Sequence, residues 1–364
     1  MNFFNKYLRR LLALGLALLM LTFICACSSP DVSLDDLKKD SATADEASTA
    51  ATNSADTTPE ADASLSKDAK YVIGIVMCAD DQASFDAYNG FTDTFIDHDT
   101  DKNGTHHEVR VANYASVEMC KEYAESYVRE SVDVIFAIGE NAVTGASQVE
   151  TDIPVIFCNI DDPKGMGLMT STVNPDKNIT GVCDLTPVDK QIPFINTILP
   201  DAKNISTLHF ATDADSILVA NLAQKEADAL GLTHTSYSAN NATQLAATLD
   251  KALKDADVLY VCEDELTLAN IDAIMQAADK KKVPVITTGT EFMAKGALAT
   301  TQPDYYKLGY SAGELALIYL TGIKPISGIA VEYPVDCINY VNRAVAQTYS
   351  VTLPENGFVY FGEE

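Results

Sequence analysis

Asp133-Val-Ile-Phe136 and Asp257-Val-Leu-Tyr260 are the same phrase written twice, and each is followed by an apolar run that carries proline, Ile153-Pro-Val-Ile156 and Val283-Pro-Val-Ile286. Lys164-Gly165 ahead of Leu168 and Lys295-Gly296 ahead of Leu298 extend the correspondence. Strand, helix, strand and glycine turn thus occur twice in one order. Chance likeness between Val/Ile-rich units is the competing explanation, since buried parallel strands share that composition. Two similar lobes is the better reading.

Working outward, Tyr71-Val-Ile-Gly-Ile-Val-Met77 is a continuous apolar run of strand length, as expected for a strand covered on both faces. Further strands are predicted over 109–113, 133–138 and 153–158, then over 205–210, 235–238, 257–262 and 283–287. Between them, Val117, Cys120, Ala124, Tyr127 and Val128 share a helical face. Leu245, Leu249 and Leu253 share another, as do Ile271, Ile274, Met275 and Ala278. Gly231 is a sensible stop for a helix beginning near Asp213. Alternating strand and helix predicts an α/β chain: two open parallel-sheet, Rossmann-like lobes joined by a hinge. The expected divisions are a first lobe over 70–184, a second over 185–300, and a segment over 301–364 that crosses back to the first lobe and hinge.

The amino terminus reads as an export signal. Lys6, Arg9 and Arg10 precede an apolar run over 11–24 that is short for a bilayer span. It ends in Ile24-Cys25-Ala26-Cys27, the pattern of a bacterial lipoprotein signal. The expectation is cleavage of 1–26, an acyl chain such as palmitate on Cys27, and attachment to the extracytoplasmic face of a cell membrane. An uncleaved anchor or an ordinary signal peptide are the alternatives. Residues 27–69, rich in Ser, Thr, Ala and Asp, lack the apolar surface needed to fold and read as a tether.

The chain has 364 residues, 47% of them hydrophobic, which supports two cores. Its net charge of −27 argues against nucleic acid, which needs a basic footprint, and against adhesion to anionic lipid through the protein surface. Cys78, Cys120, Cys158, Cys183, Cys262 and Cys337 show no CxxC and no close framework, so free thiols are favoured over disulfides or zinc. Asp99, Asp101 and Asn103 copy the first half of an EF-hand loop, but position twelve is Arg110. A solvated acidic loop is therefore preferred to a calcium site. No HExxH, P-loop, GxGxxG or GxSxG occurs, so neither cofactor nor catalysis is expected. A monomer is expected.

In open α/β lobes, ligands bind beyond the carboxyl ends of the strands, and two such lobes make a cleft that closes about a hinge. The residues after each predicted strand are polar: Asp80; Glu140 and Asn141; Asn159 and Asp161; Glu263 and Asp264; Thr288. Helix capping is an equally good use for any one of them. As a set, several carboxylates converge where a ligand ammonium would fit.

Asn178-Ile-Thr-Gly-Val-Cys-Asp184, following Asp161-Asp-Pro163, resembles the substrate-binding lipoproteins of ABC transporters that include the tryptophan- and tyrosine-type binding proteins. The resemblance continues through Ile198-Leu-Pro200, Gly296-Ala-Leu-Ala299 and Asp304-Tyr-Tyr-Lys-Leu-Gly309, covering most of 70–335. It implies a type I periplasmic-binding fold, a permease and an ATPase as partners, and a small-molecule ligand, an amino acid and in some members an aromatic one. By position it implies pocket roles for Thr180, Asp184, Asp215, Ser216 and Asp304 as well. Asp184 and Asp264 are the choices for the ligand ammonium, Thr180 and Ser216 for its carboxylate, and Tyr305 and Tyr306 for ring surface. Cys78-Ala-Asp-Asp-Gln82 and Asp264-Glu265 depart from the family pattern, and both make the cleft more acidic. A nucleoside or sugar ligand, or a sensor that presents its ligand without transport, are the alternatives.

Overall fold

A computed structural model describes residues 71–77, 81–98, 106–111, 116–333 and 336–362, with 106–111 described through the backbone alone. Cys27 and the 1–26 and 27–69 segments, Cys78, Asp80 and the Asp99, Asp101, Asn103 loop lie outside the described residues. The first lobe runs β1 (Val72–Met77), α1 (Gln82–Asp97), β2 (His106–Val111), α2 (Val117–Glu130), β3 (Val134–Ile138), α3 (Glu140–Ser147), β4 (Val155–Cys158) and β5 (Ile179–Gly181). The strands pair in parallel in the order β2-β1-β3-β4-β5. Every residue of β3 is buried, as a strand between two helical layers must be. The predicted face of α2 supplies Cys120, Ala124 and Tyr127 to the core. The Tyr127 ring occupies the space a Cβ at Gly74 would fill, and its hydroxyl donates to the Ile75 carbonyl at 2.9 Å.

The second lobe repeats the plan. Its elements are α4 (Val188–Ile198), β6 (Asn204–Phe210), α5 (Ala214–Ala229), β7 (Thr233–Ala239), α6 (Ala242–Ala252), β8 (Val258–Val261), α7 (Glu265–Ala269), α8 (Ile271–Lys281), β9 (Val285–Thr287), α9 (Glu291–Ala294) and β10 (Ala299–Pro303). The order β7-β6-β8-β9-β10 matches that of the first sheet. The doubled phrases occupy equivalent places. Asp133 accepts from the Val72 N–H at 2.7 Å, and Asp257 accepts from the Lys203 and Asn204 N–H groups at 2.8 and 2.9 Å. Each aspartate thus ties the start of its lobe's first strand to the third. The Pro154 and Pro284 carbonyls, in turn, accept from Ile135 and Leu259 of those third strands. One detail of the match shifts: the left-handed glycine paired with Gly296 (φ 100°) is Gly167 (φ 71°), not Gly165.

The 301–364 segment divides in a way the sequence reading does not anticipate. Residues 301–303 still belong to β10 in the second sheet. α10 (Tyr305–Leu320) then packs on α1 of the first lobe. The chain returns a third time, placing β11 (Cys337–Val341) antiparallel to β10, followed by α11 (Arg343–Thr348) and β12 (Val359–Tyr360) at the edge of the second sheet. β10 is polar in sequence, and β11 and β12 are short runs of five and two residues, so periodicity does not single them out.

Three crossings therefore join the lobes, near Asp184, Asp304 and Asp336. They are stitched to one another. Val182 bridges Glu332, with Cys183 N–H donating to the Glu332 carbonyl at 2.9 Å. Asp304 N–H donates to the Asp336 carbonyl at 3.1 Å. Among the described residues no helix is long and apolar enough to cross a membrane.

Candidate functional site

The carboxyl ends of β3, β4 and β5 deliver acidic residues to one place. β3 ends at Gly139, whose φ of 88° turns the chain sharply into α3 and exposes Glu140 and Asn141. β4 ends at Asn159, held at φ 58°, a conformation asparagine tolerates better than most side chains. Its side-chain oxygen accepts from the Cys158 thiol at 3.0 Å. Ile160 then anchors the loop in the core and leaves Asp161 half-buried. The Ile160 carbonyl accepts from Asp184 N–H at 3.0 Å, which brings the first hinge crossing beside that loop.

These acids perturb one another. Burial, then Asp161, then Glu140 push the Asp184 carboxyl up to about 7, with the residue's own backbone N–H pulling the other way. Asp161 is also raised, by burial first, then Glu140 and Asp162. The group reaches the second lobe, where Asp215 at the start of α5 is raised by desolvation and by Asp161, Asp213 and Asp162. Every charged group that shifts these three carboxyls is itself an acid.

The other two crossings bring tyrosines. Burial pushes the Tyr305 phenol well above its ordinary range, followed by the charge of Asp184, then Cys158, Asp81 and Tyr340. Tyr340, on β11, is raised by burial and then by Asp86 and Asp304. Asp81 caps α1 by accepting from Ser84 N–H at 2.7 Å. Each hinge crossing thus contributes a group to the cleft floor: Asp184 from the first, Tyr305 from the second, Tyr340 from the third. The close approach of α10 to α1 holds Tyr305 there. A Cβ on Gly309 would meet the Ala87 carbonyl, and one on Gly90 the Tyr306 carbonyl, both at 1.9 Å.

Several residues expected in the pocket have other partners. Asp264 is 6% exposed and accepts from Phe210 N–H, Thr267 N–H and the Ser216 hydroxyl at 2.7, 2.8 and 3.2 Å. It is a buried helix cap, and Ser216 is its partner. Glu263 accepts from the Thr287 hydroxyl and from the Phe292 and Glu291 N–H groups, and Thr288 accepts from Glu263 N–H. Thr180 is fully buried and donates to the Ile329 carbonyl at 2.8 Å. Asp304 caps α10 through Lys307 N–H and perturbs Tyr340. Tyr306 points away from the crossing and donates to Asp93 at 3.0 Å. Glu140, Asn159, Asp161, Asp184, Asp215 and Tyr305 remain as the expected residues that the structure gathers. Tyr340 and Asp86 were not anticipated, because neither follows a parallel strand.

Among the described residues Cys158, Cys183 and Cys262 are buried thiols outside any disulfide, and no three His, Cys, Asp or Glu side chains are placed to hold a metal ion. A family model described as "ABC transporter substrate binding protein" matches residues 72–363. A tyrosine-binding protein of Clostridioides difficile (strain R20291) is 29% identical over 199 residues, spanning 55% of this chain and 58% of that protein. Among solved structures, the ligand-free, open form of a substrate-binding protein with adhesive properties from Clostridium difficile superposes with a TM-score of 0.73. It shares 24% identity and covers 81% of this chain and all of its own. An ABC domain from Streptococcus pneumoniae in complex with L-Trp gives 0.61 at 22% identity, covering 79% of this chain and 97% of its own.

Proposed function

The chain belongs to the ABC transporter substrate-binding protein family, whose members are extracytoplasmic binding proteins rather than enzymes; from that membership we propose that it captures a small, ammonium-bearing solute between its lobes and delivers it to a permease and ATPase for import. The observation that carries the reading is the convergence of Glu140, Asp161, Asp184 and Asp215 on a floor bearing Tyr305 and Tyr340. A buried carboxylate with a raised pKa is stabilised by an ammonium partner, and tyrosine faces attract the same cation. Tyrosine and tryptophan, the solutes named for relatives, are the first members of this class to test.

Cys27 is the proposed lipid attachment point, which would keep the body near the transporter. Replacing Cys27 with Ser should release the exported protein from the membrane fraction and abolish palmitate labelling. Retention of both in the variant would refute the anchor. For the solute, the full chain is screened by thermal shift against amino acids, amines, nucleosides and sugars. A ligand that binds only the native state raises Tm by mass action. A response confined to nucleosides or sugars would overturn the proposal.

A further inference from the structure

We propose that Asn356 is a site of spontaneous deamidation, through attack by the Gly357 nitrogen, and that the isoaspartate it yields loosens the strap at 357–361 that fastens the third hinge crossing.

Asparagine is among the thermolabile residues, and a glycine after it leaves the next nitrogen unshielded by a Cβ. Asn-Gly occurs in the chain at Asn89-Gly90, Asn103-Gly104 and Asn356-Gly357. Asn103 lies outside the described residues. The structure separates the other two. Asn89 sits inside α1, where the Gly90 N–H is committed to the helix. Gly90 is buried so tightly that a Cβ there would meet the Tyr306 carbonyl at 1.9 Å. Asn356 and Gly357 are both exposed, in a bend between α11 and β12. Gly357 has a φ of 88°, and nothing lies within 4 Å of where its Cβ would stand. Among the described residues neither its N–H nor the Asn356 side chain has a hydrogen-bond partner. The nucleophile is free, and the ring it must form has room.

The step needs only water. The Gly357 nitrogen gives up its proton and bonds to Asn356 Cγ. The bond from Cγ to the amide nitrogen breaks, and that nitrogen takes up a proton and leaves as ammonia. Water then opens the cyclic imide. Cleavage at the side-chain carbonyl gives aspartate. Cleavage at the main-chain carbonyl gives isoaspartate, which puts an extra methylene in the backbone and a carboxylate beside it. Nothing is oxidised or reduced.

The bend is where the strap is fastened. The Gly357 carbonyl accepts from Asn339 Nδ2 at 2.8 Å, and Asn339 Oδ1 accepts from the Thr301 hydroxyl at 2.6 Å, which ties the bend to β11 and β10. From there β12 pairs with β11, and Phe361 N–H donates to the Val341 carbonyl at 3.0 Å. Arg343 lies over the Tyr360 ring at 3.5 Å, and the Phe361 ring meets that of Tyr340 edge-on at 6.3 Å. A backbone lengthened at 356 sets the Asn339 bond against the register of β12.

The test incubates the full chain at pH 6 and pH 8 and maps it by mass spectrometry after isoaspartyl methylation. Asn356 should convert about tenfold or more faster than Asn89, because only the exposed bend reacts without local unfolding. It should convert faster at pH 8, because the attacking nitrogen must lose its proton. In urea both should convert at similar rates, and Asn356→Gln should abolish the signal at that position. In the converted fraction, amide hydrogen exchange at 358–361 should speed up severalfold. Freshly prepared Asn356→Asp, which adds the charge without lengthening the chain, should exchange there near the parent rate. An unreacted Asn356, or equal conversion of Asn89 and Asn356 in the native protein, would overturn the proposal. So would unchanged exchange at 358–361 in the converted fraction.

Discussion

Asp184 carries two opposite consequences of one raised pKa. Between the ordinary aspartate value near 4 and about 7, the native state holds a proton that the unfolded chain has lost. The ligand-free protein therefore loses stability as pH rises through that window. Asp184→Asn keeps the shape and removes the charge, so at pH 8 it should stabilise the free protein by roughly 1–2 kcal/mol, allowing for solvent screening. Thermal melts at pH 5 and pH 8 check this: the gain should be largest at pH 8 and shrink to roughly a third of that at pH 5. Ligand binding runs the other way. A cation needs the ionised carboxylate, so affinity should rise roughly tenfold from pH 6 to pH 8, the ratio of ionised fractions for a group titrating near 7. A flat calorimetric profile would show that Asp184 does not touch the ligand. Asp184 was legible in sequence because it closes the 178–184 stretch that carries the family resemblance, and Asp161 because it follows a predicted strand. Asp264 follows one too, yet its carboxylate is tied to Phe210 and Thr267. Sequence cannot separate these uses, because a cap and a ligand group want the same residue type in the same loop.

At the scale of elements, the contact between α1 and α10 is the joint that carries Tyr305 to the cleft. Gly90 and Gly309 let two backbones meet where a methyl has no room. Gly309→Ala should cost about 2–4 kcal/mol, because the clash is with backbone that cannot rotate away. The loss of ligand affinity should exceed that of Gly322→Ala, a change in open space at a positive-φ turn past the end of α10. Chemical denaturation and calorimetry on the two variants measure this. In the second sheet, β6 and β7 share a polar core. His234 Nε2 lies 2.7 Å from the Thr207 hydroxyl and Nδ1 lies 3.0 Å from Gln224. Burial lowers its pKa to about 4, with Asp228 opposing and His209 adding to the shift. As pH falls from 6.5 towards 4, the unfolded chain takes up a proton that the native ring refuses, and stability is lost. His234→Gln should flatten that slope relative to the parent chain in denaturation series over the same range. Apolar runs reveal β1, β3, β4, β8 and β9. They do not reveal β10, whose Ala299-Thr-Thr-Gln-Pro303 is fully buried yet polar. Its Thr300 and Gln302 side chains are satisfied by the Thr287 and Thr288 carbonyls, partners that exist only in the folded sheet.

Across the whole molecule, like charges face each other from separate lobes. Asp161 and Asp162 lie on one side, Asp213 and Asp215 on the other, and the first lobe's acids reach Asp215 strongly enough to raise it. Two lobes meeting through acids resist closure until a cation sits between them, since the repulsion grows as water leaves the gap. Asp213 also caps α5, accepting from Ser216 N–H at 2.7 Å, so Asp215 is the cleaner site to change. Asp215→Asn should shift the ligand-free protein towards closure by about 1 kcal/mol, roughly fivefold in the open-to-closed ratio. Small-angle scattering would register this as a smaller radius of gyration without ligand. Salt should act on the same repulsion. Raising ionic strength from about 0.01 to 1 M shortens the screening length from about 30 to 3 Å, which should compact the free parent chain and change the variant less. A parent chain whose dimensions ignore both salt and Asp215→Asn would mean that the stiffness of the three hinge crossings, rather than charge, holds the lobes apart.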